Sequence, residues 1–177
     1  MKLRTLPLIS AQLLTCLVGA QLHNVTIDDS DPSITYDGDW DNDSFQVSPL
    51  DYGGSHTVSE DPGAMAILNF TGMPVFRPYI YIVLYLYSPG VAVYYMSPLW
   101  PFPISVAISV DNGNSATVDL RDYSSPPSPN SSRETVQSQV VWASSSLTND
   151  THSVVISMAD DSQFVVVDGF VYDMITS

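Results

Sequence analysis

Short apolar runs that alternate with polar residues constrain the fold of this chain more than any other feature. In residues 104–110, isoleucine and valine alternate with serine and alanine. A period of two residues places the apolar side chains on one face of a β-strand. Asp111-Asn112-Gly113 follows, and residues 117–120 resume the pattern. Because Asn-Gly favours tight hairpin turns, these segments predict a β-hairpin.

Similar short runs extend along most of the chain, and no long stretch has the apolar spacing of a helix. The other predicted strands are residues 34–36, 56–59, 64–70, 91–96, 136–143, 153–158, 164–167 and 170–174. Many short strands separated by turn residues are typical of a sandwich or barrel. The Pro/Ser-rich stretch between Asp122 and Arg133 is predicted to be an exposed loop.

The first 20 residues have the three-part pattern of a secretory signal peptide. Lys2 and Arg4 precede an apolar run, and Gly19 and Ala20 provide small residues before the predicted cleavage site. Cys16 is the single cysteine, so the mature chain would have no thiol for a disulfide. Residues 21–177 are therefore predicted to form one secreted domain that is stabilised by its core.

The charge of the chain is strongly acidic, with a formal net charge of −14. This charge excludes nucleic acid as a partner and disfavours anionic membrane surfaces. Five Asn-x-Ser/Thr sequences, together with the signal peptide, predict a glycosylated extracellular or cell-wall protein. The predicted glycosylation sites are Asn24, Asn42, Asn69, Asn130 and Asn149.

Residues 73–90 interrupt the strand pattern with a run rich in Tyr, Ile, Val and Leu. One interpretation is a membrane span over 79–96, but Ser88-Pro89-Gly90 breaks the run, and a span needs about 20 apolar residues. A second is a buried strand or long loop insertion. A third is a translated intron. If the codon of Gly72 is GGT, then this codon followed by the Met73 codon contains GTATG, a typical fungal splice donor. CCA for Pro89 followed by G would provide the acceptor, and excision would keep the reading frame.

Several motifs resemble a broad family of secreted or cell-surface proteins from mushroom-forming (basidiomycete) fungi. They are Ile27-Asp28-Asp29, Ile34, Tyr36, Trp40, residues 91–95, Val110-Asp111-Asn112-Gly113, residues 134–139, Leu147-Thr148, Thr151-His152 and Val167-Asp168-Gly169-Phe170. In that family, Phe70-Thr71-Gly72 leads almost directly into Val91. The resemblance implies a jelly-roll β-sandwich of about eight strands, similar to galactose-binding-like domains and carbohydrate-binding modules, with no catalytic residue. Many members continue into a transmembrane helix, whereas this sequence stops at Ser177, which suggests release or wall association.

Acidic residues are concentrated near the start of the mature chain. Asp28, Asp29 and Asp31 could supply oxygen ligands to a structural calcium ion. The spacing is not that of an EF-hand, and the alternative is solvated turn carboxylates that bond local amides. No other cofactor is expected.

Carboxylates elsewhere could in principle serve glycoside hydrolysis, which needs two of them at a defined separation. The eligible residues are Asp111, Asp119, Asp168 and Asp173. The separation cannot be obtained from sequence, and the histidines have no metal-ligand spacing. We therefore expect no enzymatic activity.

Aromatic residues provide the one positive indication of function. Tyr94, Tyr95, Trp100 and Phe102 lie in a segment stiffened by prolines. Flat rings stack on sugar faces, although the same rings could fill the core. The leading hypothesis is a non-catalytic module that binds a glycan or cell-wall polysaccharide through Trp100. The alternatives are an adhesion domain that acts through protein contacts and, less favoured, a glycoside hydrolase.

Overall fold

The computed structural model describes residues 21–41, 47–72, 91–126 and 133–176, and these form eleven β-strands and no helix. The strands are β1 (Gln21–Asp28), β2 (Ile34–Asp37), β3 (Thr57–Ser59), β4 (Met65–Thr71), β5 (Val91–Leu99), β6 (Ser105–Val110), β7 (Ala116–Asp119), β8 (Val136–Leu147), β9 (Thr151–Met158), β10 (Val165–Val167) and β11 (Gly169–Thr176). The all-β prediction is confirmed, with eleven strands rather than about eight. Across these residues, no helix is long and apolar enough to cross a membrane.

The strands form two antiparallel sheets and a short ribbon. The first sheet has the order β1-β11-β5-β8, and the second has the order β2-β4-β9-β6-β7. The ribbon pairs β3 with β10. Side chains from both sheets and the ribbon belong to one buried cluster, which includes Val93, Tyr95, Leu68, Ile156 and Val166. The fold is therefore a β-sandwich with a single core.

Strict alternation explains how the second sheet covers this core. Ala66, Leu68 and Phe70 of β4 are buried, whereas the residues between them are partly or fully exposed. On β9, Val154 and Ile156 have the same arrangement. Burying one such aliphatic or aromatic side chain contributes about 1.5–3 kcal/mol. A shift of one residue in register would expose the whole set.

The predicted hairpin joins β6 and β7. Asp111 and Asn112 have φ values of 53° and 57°, and the Gly113 N–H donates to the Val110 carbonyl over 2.8 Å. The left-handed residues are thus Asp111 and Asn112, not the predicted Asn-Gly pair. Asp and Asn tolerate this conformation better than most residues, so the turn forms one residue earlier than expected.

Strand β1 was missed by the pattern of apolar residues. It pairs with β11 from Gln21↔Thr176 to Asp28↔Gly169. However, Ile27 is its only buried residue. An edge strand with one buried side chain has no alternation to detect, and its position is set by backbone pairing to β11.

The connection from β5 to β6 brings the two sheets together at one corner. The Trp100 N–H donates to the Leu120 carbonyl over 3.0 Å, and the Asp122 N–H donates to the Trp100 carbonyl over 2.6 Å. Trp100 also forms an isolated parallel bridge with Arg121. This corner buries the Trp100 ring beside His56.

The signal peptide at 1–20 and the insertion at 73–90 lie outside the described residues, so both remain predictions. The residues that flank the insertion are in contact. A Cβ atom built on Gly72 would lie 2.5 Å from Val91 Cγ1. Strands β4 and β5 therefore end and begin at the same place in the sandwich.

Candidate functional site

An open groove of about 860 Å³ lies where the β3–β10 ribbon meets the loops around it. Its walls come from the chain after β2, the segment 47–49, the ribbon, the β5–β6 connection and the residues that precede β8. The side chains that matter most for binding are Trp40, Phe102, Phe164, Asp39, Glu60, Asp61, Arg133 and Glu134. The groove thus combines aromatic rings with charged groups.

Three half-buried rings, Trp40, Phe102 and Phe164, line the groove. The Trp40 Nε1–H donates to the Asp37 carbonyl over 2.9 Å, and its ring meets the edge of Tyr36 with centroids 5.0 Å apart. These contacts fix the indole while leaving part of it accessible. Phe102 lies between Pro101 and Pro103, which restrict its backbone.

The four aromatic residues predicted to bind a ligand do not form one surface. Trp100 is 3% exposed and Tyr95 is fully buried, so neither ring is an exposed platform, although part of Trp100 lines the bottom of the groove. Tyr94 follows Val93 on β5, and its side chain points to the opposite face from Tyr95 because successive strand residues alternate. Of the four, only Phe102 is both partly exposed and part of the groove.

A buried cluster of ionisable side chains lies at the inner end of the groove. His56 Nδ1 is 3.0 Å from Asp51 Oδ2 and 3.5 Å from Glu134 Oε1. The three side chains are at most 6% exposed. The Trp100 ring meets the His56 ring edge-on with centroids 5.8 Å apart. Sequence analysis missed this cluster, since Glu134 is far from the other two residues in the chain.

The protonation of this cluster is set by burial and by mutual attraction. Burial raises the pKa of Asp51 above its ordinary value, although the hydrogen bond to His56 opposes the rise. Burial alone would lower the pKa of His56, but the hydrogen bond and charge of Asp51, with the charge of Glu134, raise it overall. The pKa values of both Asp51 and His56 therefore lie above their ordinary values.

Asp168 is fully buried between β10 and β11 and joins three parts of the chain. Its carboxylate accepts the Tyr52 N–H over 2.9 Å and the Ser138 hydroxyl. Burial, reinforced by the charge of Asp51, raises the pKa of Asp168 to about 7. The eligible catalytic carboxylate Asp168 is thus a structural group that holds the 47–56 loop against β8.

The residues proposed to bind calcium have different hydrogen-bond partners. The Asp29 carboxylate accepts the Ser55 and Thr57 hydroxyls over 3.2 and 2.7 Å. Asp31 accepts the Ser33 N–H and hydroxyl in a local turn. Asp31 thus has the local turn contacts that the solvated-turn alternative expects, whereas Asp29 is buried and bonds residues far from it in the chain. The calcium site remains a prediction.

Asp28 lies against the backbone of Gly53. A Cβ on Gly53, which has a φ of 68°, would be 2.3 Å from Asp28 Oδ2. Burial and the charge of Asp29 raise the pKa of Asp28. Glycine is required here both for the left-handed backbone and for this close approach.

The other eligible catalytic carboxylates have separate partners. Asp111 accepts from His152 Nδ1 over 2.6 Å and from the Ser153 N–H over 2.9 Å. Asp119 accepts the Tyr123 hydroxyl over 2.6 Å. Asp173 lies on β11, opposite Asn24. These aspartates therefore lie on different elements and share no hydrogen-bond partner among those described.

Two of the predicted glycosylation sites are on exposed strand positions. Asn24 lies on β1 and Asn69 on β4, and both are exposed. Asn149 is half-buried in the β8–β9 turn. Asn42 and Asn130 lie outside the described residues, so modification of all five remains a prediction.

Solved structures with a similar fold are carbohydrate-binding modules and enzymes that act on polysaccharides. No family model matches the sequence, and no curated protein matches it either. A family 35 carbohydrate-binding module from Clostridium thermocellum matches with a TM-score of 0.51 and 12% identity, over 86% of this chain and 98% of the module. A CBM35 module from Cellvibrio japonicus matches with a TM-score of 0.51 and 11% identity, over 85% of this chain and 92% of the module.

An exo-β-1,3-galactanase from Phanerochaete chrysosporium, solved with β-1,3-galactotriose, matches with a TM-score of 0.50 and 14% identity. The match covers 84% of this chain, which spans only 29% of the galactanase. At such identities the likeness shows the fold alone. It confirms the predicted jelly-roll β-sandwich.

Proposed function

We propose that this domain is a non-catalytic, extracellular module that binds a glycan or cell-wall polysaccharide in the groove. The observation that carries the proposal is the combination of accessible rings and polar groups along one open groove. Sugar rings have apolar faces that stack on aromatic side chains, and their hydroxyls bond to carboxylates and guanidinium groups. The similarity in fold to modules named for carbohydrate binding supports the same class of ligand.

Trp40, Phe102 and Phe164 are the rings assigned to stacking, because all three are half-buried and line the groove. Trp100, which the sequence predicts as the stacking residue, is almost completely buried and is not assigned this role. Asp39, Glu60 and Asp61 are next to these rings in the groove and can accept hydrogen bonds from sugar hydroxyls. Arg133 can donate to ring or hydroxyl oxygens.

The charge of the groove favours neutral sugars over acidic ones. Five carboxylate residues line it, whereas its basic residues are Arg133 and His56. The lining carboxylates are Asp39, Asp41, Glu60, Asp61 and Glu134. Uronate-bearing polysaccharides would be repelled by this field, so the expected ligands are neutral polysaccharides.

The test is a glycan array followed by calorimetry with the best neutral ligand. Trp40→Ala should weaken binding about fivefold or more, the equivalent of about 1 kcal/mol for a lost stacking contact. The matched control is Tyr123→Ala, because Tyr123 is 75% exposed and outside the groove. Circular dichroism of each variant should show an intact fold.

Several results would contradict the proposal. If Trp40→Ala keeps full affinity for the glycan, or if Tyr123→Ala loses as much affinity as Trp40→Ala, then the glycan does not bind in the groove. Preferential binding of uronate polymers would contradict the charge argument. Release of reducing sugar from any bound polysaccharide would show that the module is catalytic, and failure to bind any glycan would favour the adhesion alternative.

A further inference from the structure

We propose that Asp51, His56 and Glu134 form a binding site for a single transition-metal ion of the zinc class. Each residue offers one ligand atom, and the three atoms lie within 4.8 Å of one another. The site stands whether or not the groove binds a glycan, because its ligands are defined by the buried cluster and not by the exposed rings.

The distances in the cluster fit a shared ion as well as they fit a hydrogen bond. His56 Nδ1 is 3.0 and 3.5 Å from its two carboxylate oxygens. Ligand atoms that surround a tetrahedral zinc ion at about 2.0–2.1 Å are about 3.3 Å from one another. The two separations from His56 Nδ1 are thus close to this value, whereas the Asp51 and Glu134 oxygens, which are within 4.8 Å of each other, would move together on coordination.

A second and independent observation is the state of the Asp51 carboxylate. Asp51 is 6% exposed, and its Oδ1 atom is buried without a hydrogen-bond partner. A buried carboxylate oxygen that has lost water and gained no donor is costly. A cation bound by Asp51 would compensate for this loss.

The charge balance of the cluster also favours a cation. A single imidazole lies between the carboxylates of Asp51 and Glu134, and the buried Asp168 adds a further acidic group that interacts with both Asp51 and His56. A divalent ion would neutralise this excess of acidic groups over basic ones. His56 and Glu134 both line the groove, which gives an ion a path of entry.

The ligand set distinguishes between metals. Calcium and magnesium prefer sites made of oxygen atoms, whereas one imidazole with two carboxylates suits zinc and neighbouring transition metals. This site is also distinct from the calcium site predicted at Asp28, Asp29 and Asp31, of which Asp29 and Asp31 already accept hydrogen bonds from neutral donors.

The experiment uses the whole mature chain after treatment with chelator and dialysis. Titration with zinc chloride at neutral pH should show one ion bound per chain, with a change in the fluorescence of Trp100 because its ring contacts His56. Cobalt should produce the visible absorption bands of a low-coordinate nitrogen- and oxygen-ligated ion. Glu134→Gln, which retains the side-chain shape, should weaken zinc binding at least about tenfold.

The matched control is His152→Gln. His152 forms a similar close pair with Asp111, at 2.6 Å, but no third metal ligand accompanies that pair among the described residues. Zinc affinity should be unchanged in this variant. Any one of four results would overturn the proposal. The parent could fail to bind zinc stoichiometrically or could bind calcium preferentially. Alternatively, Glu134→Gln could keep the parent's zinc affinity, or His152→Gln could lose as much affinity as Glu134→Gln. The parent titration and the cobalt spectrum decide the matter even if a variant does not fold.

Discussion

Replacing Asp168 by Asn should make the domain much less sensitive to the rise from acidic to neutral pH. The Asp168 carboxylate is fully buried and accepts from the Tyr52 N–H and the Ser138 hydroxyl. An asparagine oxygen can still accept the Tyr52 N–H, and its amide can donate to the Ser138 oxygen. The substitution therefore removes a titratable group while retaining both contacts.

The sign of the effect follows from the direction of the pKa shift. Burial raises the pKa of Asp168 from 3.8 to about 7 in the folded protein. Between these values the folded state holds a proton that the unfolded state has released. The contribution of Asp168 to the free energy of unfolding is therefore fully present below about pH 4 and is lost as the pH rises through about 7. At about 1.4 kcal/mol for each pKa unit, the loss from this one group is at most about 4 kcal/mol.

Asp51 and His56 have the same effect on stability as Asp168. Burial raises the pKa of Asp51, and the neighbouring carboxylates raise the pKa of His56, so both groups stabilise the folded state less as the pH rises. In contrast, hydrogen bonds from Ser33 lower the pKa of Asp31, and stability from this group is lost as pH falls below its ordinary value. Maximum stability is therefore expected in mild acid.

The assay is urea unfolding in the presence of chelator, at several values between about pH 4.5 and about pH 8. The parent should lose stability across this range, and Asp168→Asn should lose less, becoming the more stable protein at the upper end. Asp160→Asn, which removes an exposed carboxylate, is the matched control and should behave as the parent does. Identical slopes for the parent and Asp168→Asn would refute the assignment of this titration to Asp168.

Four further outcomes are expected. Gly53→Ala should cost about 1–2 kcal/mol in urea unfolding, since its φ is 68° and the new Cβ would press on Asp28; no loss would show that the loop relaxes. Tyr95→Phe should cost about 1–2 kcal/mol by removing the 2.8 Å hydrogen bond to the Val166 carbonyl, and an unchanged midpoint would contradict this. Deleting residues 73–90, so that Gly72 joins Val91, should leave the circular dichroism of the sandwich intact and increase solubility; an unfolded product would sink the insertion hypothesis, and the gene and transcripts decide whether it is an intron. Glycosidase should lower the gel mass of the secreted protein while a reducing agent leaves it unchanged, and insensitivity to glycosidase would exclude the predicted modification.

The sequence predicted every described strand except β1, and the clearest signals came from strands with one face on the core. Strands β4, β6 and β9 alternate clearly because one face of each packs on the core. Strand β1 has no such signal, because its place depends on pairing with β11. The hairpin lies between the predicted strands, but its turn begins one residue earlier than expected. Asp111 and Asn112, not Asn112 and Gly113, adopt the left-handed conformation.

The candidate site was less accessible to sequence reasoning for a related reason. Trp100 and Phe102 occupy one short segment, yet only folding decides that the first ring is buried at a corner and the second is accessible. The Asp51–His56–Glu134 cluster depends on the position of the chain before β8 relative to the loop before β3. Nothing in the spacing of these residues reveals that contact.

The long edge strand β8 has a consequence for how copies of this domain behave at high concentration. It extends from Val136 to Leu147 along the border of the first sheet and pairs there only with β5 among the strands described. The β5–β8 pairing has three register irregularities, and Ser146 has a φ of 64°. Bulges of this kind twist an edge and make it a poor template for a strand from another molecule. A regular β8 would offer a row of unpaired amide groups, so these irregularities should keep neighbouring molecules from joining edge to edge into extended sheets.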